Sequence, residues 1–232
     1  MPTLILRLAG PLQSWGEGSR FNHRHTREEP TKSGVLGLLA AAQGRRRSDS
    51  IEDLLHLKFG VRADQPGRLV RDFQTEIDWR TNKARPLTYR YYLADAAFLA
   101  VVEGGEEMIA VLHSALHHPV FPLYLGRRAC PPAGPVWLGI RDSDLRETLL
   151  SEPWQAAGWY RKKQPRSVTL EIVRDAEPDE KIAEAVRDEP LSFSESARDY
   201  GWRDVVREPM TIDNPLGRQR AHDPMALLGG DE

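Results

Sequence analysis

The order of apolar patterns along residues 1–140 predicts an α+β protein with the β-α-β-β-α-β plan of the ferredoxin-like fold. An apolar run and a helical pattern come first, strand-like runs follow, and a second helical pattern precedes a last strand. Residues 1–145 are expected to form this domain, with one hairpin extended at about 75–90. A small β-rich region is predicted over 146–209, and a loosely ordered tail over 210–232.

The first strand and the first helix are indicated by composition. TLILRLA at residues 3–9 is rich in β-formers and ends at a Gly-Pro pair. A polar loop of about twenty residues follows, and loops of that length in a compact domain are usually functional or disordered. Thr31 or Ser33 can cap a helix that runs from 34 to about 43, where a glycine ends it.

The remaining elements of this domain follow from alternation for strands and from helical spacing for helices. In chain order they are a short helix at 49–56, strands at 57–63, 68–74, 89–93 and 97–103, a helix at 106–117, and a strand VWLGI at 136–140. The polar stretch at 75–88 carries Arg80, Lys83 and Arg85. It is expected to be an extended arm rather than part of the core.

Composition and charge bound the class of protein. With 40% apolar and 28% charged residues and no apolar run of membrane-spanning length, a soluble globular protein without a membrane partner is expected. The N-terminus has no basic region typical of a signal peptide. Cys130, the single cysteine, cannot form an internal disulfide and is expected to be a packed core residue of a cytoplasmic protein. A net charge of −2 argues against a non-specific nucleic-acid coat, which would be basic.

Two loops of the predicted domain combine groups that suit a nucleic acid. In GPLQSWG, Gln13 and Ser14 supply hydrogen-bonding groups and Trp15 a stacking face; alternatively, the tryptophan fills the core. In PTKSG, Lys32 and Ser33 stand at the start of a helix, whose free N–H groups and partial positive charge suit an anion. The alternative is an ordinary helix cap with a solvated lysine.

Arginines mark two further segments. In YLGRRACPPAGP, Gly126 allows a tight turn, and Arg127 and Arg128 can contact phosphates or stack on bases. The segment does not match GxxxxGK[ST], so no NTPase site is predicted. In the arm at 75–90, aromatic residues alternate with arginines, which suits the splayed bases of single-stranded RNA. The alternative is an exposed hairpin whose charges keep it soluble.

The histidines give little support to chemistry. His113 and His117 share a helix face, but no HExxH glutamate and no second ligand cluster accompany them. No metal site is therefore predicted, and no cofactor is expected. His117 with His118, or His23 with His25, offers general bases for a metal-independent RNase, although surface histidines more often have no such role.

Four segments in order carry a resemblance to a known family: LILRLAGPLQSWG, PTKSGVLGLLAAAQG, YYLADAAFLAVV and PLYLGRRACP. With RDEP at 187–190 and SARDYGWRDVV, which extend the match to about residue 206, they resemble the CasD family. This family is the crRNA 5′-handle-binding subunit of the subtype I-E CRISPR Cascade complex, in the RAMP superfamily. The tail after about 210 has no recognised counterpart.

The resemblance implies a ferredoxin-like (RRM-like) RAMP domain whose hairpin at about 75–90 is a thumb that kinks the guide RNA. It implies a non-catalytic, cytoplasmic subunit in antiviral defence. The implied partners are the crRNA 5′ handle, the Cascade backbone subunits, the large PAM-recognising subunit and, indirectly, target DNA. The residues expected to bind RNA are Gln13, Ser14, Trp15, Lys32, Ser33, Arg127 and Arg128, with Arg71 and Arg90 assigned by position and charge beside the thumb.

A second hypothesis stays open at this point. The related subtype I-C subunit cuts its own precursor RNA with a metal-free tyrosine, lysine and histidine set, and His117 and His118 are candidates for such a set here. The sequence motifs SWG and YLGRRAC resemble those of the I-E branch, in which a different protein cuts the precursor RNA.

Overall fold

The protein is described by a computed structural model over residues 1–16, 23–180, 184–194 and 197–218. Within these residues the chain is a mixed α/β structure, mostly strands. The strands are β1 (Thr3–Ala9), β2 (Leu12–Gln13), β3 (His23–Arg24), β4 (Lys58–Gln65), β5 (Arg68–Gln74), β6 (Ile77–Asp78), β7 (Lys83–Ala84), β8 (Thr88–Ala94), β9 (Ala97–Glu103), β10 (Trp137–Arg141), β11 (Ser167–Asp175), β12 (Glu184–Ser192) and β13 (Asp199–Asp213). The helices are α1 (Lys32–Ala42), α2 (Glu52–Leu55), α3 (Glu106–His117), α4 (Leu145–Ser151) and α5 (Gly158–Arg161).

A seven-stranded antiparallel sheet forms the centre, in the order β10-β1-β9-β4-β11-β13-β12. Strand β1 is covered on both faces. Leu4, Leu6 and Leu8 belong to the core that includes α1 and α3, whereas Ile5 packs with Leu145 of α4. Burial on both faces explains why β1 is a nearly continuous apolar run instead of an alternating one.

The local sequence explains where the two long helices, α1 and α3, form. Thr31 is the N-cap of α1, because its Oγ1 accepts a hydrogen bond from the N–H of Gly34 at 3.1 Å. The helix therefore begins at Lys32, two residues earlier than the sequence predicts. In α3, Ile109, Leu112 and Leu116 are buried at helical spacing, as predicted. No helix in the described ranges is long and apolar enough to cross a lipid bilayer.

The extended hairpin is longer than the predicted arm. Strands β5 and β8 pair from Arg68↔Ala94 to Gln74↔Thr88, and β6 and β7 continue the pairing to Asp78↔Lys83. The predicted arm at 75–88 is thus the outer half of a hairpin over 68–94. With β2 and β3, which both pair with β8, this hairpin forms a second sheet beside the main one.

The strands after residue 166 join the main sheet. β11 pairs with β4 through Ile172↔Arg62 and with β13 on its other side. β13 runs to Asp213, so the predicted start of a loose tail at 210 falls inside a strand and is wrong. The rest of that predicted tail, residues 219–232, lies outside the described residues. The predicted boundary between domains near 145 stays a prediction.

Candidate nucleic-acid interface

The segment 13–15 points its side chains inward. The amide nitrogen of Gln13 donates to the backbone oxygens of Leu8 at 3.0 Å and Ala96 at 2.8 Å. Its amide oxygen accepts from Nε1 of Trp15 at 3.1 Å, and Trp15 is fully buried in the core. The geometry therefore contradicts direct side-chain contact of Gln13 and Trp15 with RNA, because a buried side chain presents no surface to a ligand. The alternative, a tryptophan that fills the core, is what the structure shows.

Ser14 is also buried, and its role is to connect loops. Its Oγ donates to the backbone oxygen of Tyr91 at 3.1 Å, and its N–H donates to the oxygen of Leu125 at 3.1 Å. The hydroxyl predicted to bind RNA is thus used within the chain. Ser14 joins strand β8 of the hairpin to the loop that carries the paired arginines.

The start of helix α1 is closed by carboxylates of the chain itself. The N–H of Lys32 donates to Oδ2 of Asp188 at 2.8 Å, and its ammonium lies 3.2 Å from both Asp175 and Glu189. Lys32 is only 4% exposed, and Ser33 only 8%. The predicted anion site at this helix end is therefore already filled, and neither side chain is placed to contact a phosphate. This corrects both the RNA-binding expectation and the alternative of a solvated lysine.

Arg203 completes this buried charge network. Its guanidinium is 2.5 Å from Asp188 and 2.6 Å from Asp175. Burial alone would lower the pKa of Arg203, but the hydrogen bonds that it donates to Asp188 and Asp175, and the attraction of their charges, raise it. The network fastens α1 to the C-terminal strands and so fixes the part of the chain next to the loops described above.

The YLGRR loop packs on segment 13–15 and uses its two arginines differently. Gly126 has φ +84°, and a side chain there would overlap the carbonyl of Ser14, so only glycine fits this turn. Arg127 donates to the oxygens of Tyr91 at 3.2 Å and Arg24 at 2.8 Å, which ties the loop to β8 and β3. Arg128 is exposed, with no hydrogen bond or ion pair to the described part of the chain.

One face of the hairpin sheet carries stacked aromatic rings. The ring of His23 stacks on Tyr89 with centroids 5.1 Å apart, and His25 stacks on Tyr91 at 5.0 Å. The guanidinium of Arg71 lies 5.1 Å from the centre of Tyr89. Residues two apart on a strand, and those paired across it, share a face. We call this surface the aromatic face; its members are His23, His25, Arg71, Phe73, Tyr89 and Tyr91.

Arg90 does not belong to the aromatic face. It pairs with Asp72 across the hairpin, and its guanidinium is 3.7 Å from Glu76. Alternation along β8 therefore places it on the opposite face from Tyr89 and Tyr91.

Sequence reasoning missed the stacking role of His23 and His25, for which it offered only general-base chemistry. The available signal was spacing: HRH at 23–25 and YRY at 89–91 both place rings two residues apart. Their pairing could not be foreseen, because it depends on parallel contact between β3 and β8.

The other histidines lie on a different part of the molecule. Nε2 of His113 and Nε2 of His117 are 3.3 Å apart, and His117 stacks on Trp137 at 3.8 Å. Burial, followed by the nearby His117, lowers the pKa of His113. Within the described ranges, no group of three or more His, Cys, Asp and Glu residues is arranged to hold a metal ion. Cys130 is fully buried, as predicted, and burial raises the pKa of its thiol.

A strand-rich α/β fold of this kind is shared with CRISPR-associated proteins of known structure. A chain in a structure described as "CRISPR RNA-guided surveillance complex" superposes with a TM-score of 0.76 at 32% identity, covering 97% of both chains. One described as "Crystal structure of Cas protein" gives 0.70 at 39% identity, covering 94% of this chain and 98% of the other.

The chain belongs to the Cas5 family, since residues 3–206 match the family model described as "CRISPR-associated protein (Cas_Cas5)". It is also 38% identical over 169 residues to the "CRISPR system Cascade subunit CasD" of Escherichia coli (strain K12). That alignment covers 64% of this chain and 75% of the relative. The family resemblance inferred from the four motifs is thereby confirmed.

Proposed function

We propose that this chain is a crRNA-binding subunit of a type I-E CRISPR Cascade complex and holds the 5′ handle of the guide RNA. Membership of the Cas5 family and similarity to the CasD subunit of Cascade support this function. The observation that carries the site is the contact between the aromatic face and the YLGRR loop. Arg127 donates to the backbone oxygens of Tyr91 and Arg24, so the loop that also carries the exposed Arg128 is fastened to the hairpin sheet.

The division of labour follows from exposure. Arg128 and Arg71 are exposed cations and bind phosphate oxygens, while the outer surfaces of the stacked rings accept unpaired bases. The YLGRR loop, which carries the arginines, is supported by the buried residues Gln13, Ser14 and Trp15. Lys32, Ser33 and Arg90 act through the chain itself, by joining elements, and not through contact with RNA.

We further propose that the hairpin over 68–94 is the thumb that wedges into the guide and kinks it. Ile77 and Trp79, near its tip, are 67% and 83% exposed, so an apolar wedge is available there. The sheet order β10-β1-β9-β4, with α1 and α3 on one side, supports the ferredoxin-like plan of a RAMP domain. Cascade backbone subunits and the large PAM-recognising subunit are the proposed protein neighbours, and target DNA an indirect one.

We propose that the subunit holds RNA without cutting it. His117 is packed between His113 and the ring of Trp137. His117 and His118 are both exposed, and their rings lie 6.4 Å apart. A ribonuclease would need these rings to approach the scissile phosphate together with a further acid or base.

The test is binding of a repeat-derived RNA by the chain in which Arg127→Ala and Arg128→Ala are combined. The Arg128 contact with phosphate contributes roughly 1.5–3 kcal/mol, and Arg127→Ala removes the bonds that hold its loop, so affinity falls about tenfold or more and depends less on salt. Arg146→Ala is the matched control, because Arg146 is an exposed arginine on α4 that bonds Glu208, away from the hairpin sheet.

Wild-type assembly and RNA retention by the double variant would refute the handle site. Specific cleavage of a repeat hairpin in EDTA would refute the non-catalytic assignment while leaving RNA binding intact.

A further inference from the structure

A second group of exposed cations lies in the same segment as an exposed indole, far along the chain from the aromatic face. Trp159 on α5 is 50% exposed, and the ammonium of Lys163 lies 5.2 Å from the centre of its ring. The backbone N–H of Arg218 bonds the oxygen of Gln164 at 3.1 Å, which brings another arginine to the same segment. We call this group the Trp159 cluster; its members are Trp159, Lys162, Lys163, Arg166 and Arg218.

The segment that carries the cluster is fastened by hydrogen bonds to the rest of the chain. Arg161 turns inward, where it bonds the backbone oxygens of Trp154 and Ala156 and lies over the Trp154 ring. The amide of Asn214 donates to the oxygens of Arg161 at 2.8 Å and Pro165 at 2.9 Å. The exposed cations are therefore presented on a fixed turn, which lowers the entropy cost of ordering them around a ligand.

These cations differ from exposed arginines elsewhere in the second half of the chain. Arg207 contacts three glutamates, and Arg146 donates to Glu208 through both Nε and Nη2. In the part of the chain that the structure describes, none of the four cations of the Trp159 cluster forms an ion pair. Asp213 is paired with Ser167, next to Arg166, but forms no ion pair with these cations, so their charge is available to an anion from outside the chain.

The cluster begins at the root of the hairpin. The N–H of Ala157, the N-cap of α5, donates to the side-chain oxygen of Gln65 at 3.2 Å. The amide nitrogen of Gln65 in turn donates to the oxygen of Asp95. Gln65 ends the strand before the hairpin and Asp95 follows its last strand, so one side chain joins the hairpin base to α5.

We propose that the Trp159 cluster is a second nucleic-acid site, which binds the backbone of a single strand through its cations while one base stacks on Trp159. Lysine and arginine neutralise phosphates without reading sequence, and an exposed indole takes up any unpaired base. A duplex would leave the indole without a partner. The site is distinct from the handle site and does not depend on it.

The test uses the full chain carrying Arg127→Ala and Arg128→Ala, so that the handle site is weakened. Fluorescent oligo-U and oligo-dT of about 16 nucleotides are the probes, a length that covers one small single-strand-binding fold. Adding Lys162→Ala, Lys163→Ala and Arg166→Ala is expected to weaken binding about tenfold or more and to reduce the slope of log K against log salt by about 2. Trp159→Ala is expected to weaken binding as well, and Trp159→Phe to keep most of it.

The control removes the same charge elsewhere. Lys58→Ala, Arg146→Ala and Arg187→Ala eliminate three cations that each face a carboxylate in this chain, and are expected to leave oligonucleotide binding unchanged. An equal loss in cluster and control variants would overturn the proposal, as would a parent chain that binds neither probe.

Loss of oligo-U binding alone identifies an RNA site, loss of oligo-dT alone a DNA site, and equal loss a site for either backbone. Loss of a protein subunit from the assembled complex, with oligonucleotide binding intact, would mean that the cluster docks an acidic protein surface and would refute the site. Handle-RNA affinity of a chain with intact Arg127 and Arg128 is measured separately, so failure of one site does not imply failure of the other.

Discussion

The N–H of Lys32 donates to Oδ2 of Asp188 at 2.8 Å, so a carboxylate from strand β12 closes the N-terminus of helix α1. The same carboxylate bonds Arg203 at 2.5 Å. A helix N-terminus favours an anion through its free N–H groups and its dipole, and here the anion belongs to the protein. The family motif that carries Lys32 is thus a junction between two distant parts of the chain.

We expect Asp188→Ala to lower the free energy of unfolding by about 3–5 kcal/mol, because it leaves the buried guanidinium of Arg203 with an incomplete set of partners. Urea unfolding followed by tryptophan fluorescence measures this. Asp199→Ala is the control: its partner Arg187 is exposed, and the change should stay below about 1 kcal/mol. Equal effects of the two substitutions would contradict a buried network at α1.

Gly126→Ala is expected to destabilise the protein by about 2 kcal/mol or more, because φ is positive there and a Cβ would overlap the carbonyl of Ser14. RNA binding should fall with it, since the turn sets the position of Arg127 and Arg128. Gly134→Ala, where a Cβ meets nothing within 4 Å, should leave both properties unchanged. Thermal unfolding and RNA titration of the two variants decide the matter, and similar behaviour of both would argue against a required glycine at 126.

Acid should weaken the packing between β11 and its neighbours. Hydrogen bonds from Arg174 hold the pKa of Glu180 at about 2, below its ordinary value of 4.5. The pKa of Glu208 is also lowered, chiefly by Arg146. Because these values are lower in the folded state, their contribution to stability is complete above 4.5 and is lost as the pH falls toward 2.

We therefore expect the urea midpoint to fall between about pH 6 and about pH 3, and to fall less in Arg174→Gln. Arg187→Gln, which changes an exposed pair, should keep the wild-type dependence on pH. A steeper loss in Arg174→Gln than in wild type would show that these carboxylates are not stabilised by the arginine.

The thiol of Cys130 should react slowly with a disulfide reagent in the folded protein. Burial removes access and raises the pKa of the thiol, so little thiolate is present near neutral pH. Because Cys130 is the single cysteine, the absorbance change reports this position alone. Denaturing urea should make labelling fast, and equally fast labelling of the native chain would show that the YLGRR loop opens readily.

Local patterns predicted the elements well and the roles of side chains poorly. The helix at 106–117 and the strand at 97–103 have the predicted bounds, because each depends on neighbouring residues alone. The three acidic partners of Lys32 lie more than 140 residues further along the chain, so short-range patterns could not reveal them. Lys32 was therefore expected to contact RNA. The aromatic face and the pairing of β11 with β4 also depend on contacts between distant strands, which short-range patterns do not predict.

That attachment has a consequence for biosynthesis. Strand β4 pairs with β11 through Arg62↔Ile172, positions about 110 residues apart, so one edge of β4 has no partner until most of the protein has left the ribosome. An open edge is a template for pairing with another chain. Truncation before residue 167, or slow translation of the segment between β4 and β11, should therefore yield a product that aggregates. Co-translational chaperones or early binding of RNA would protect the nascent subunit.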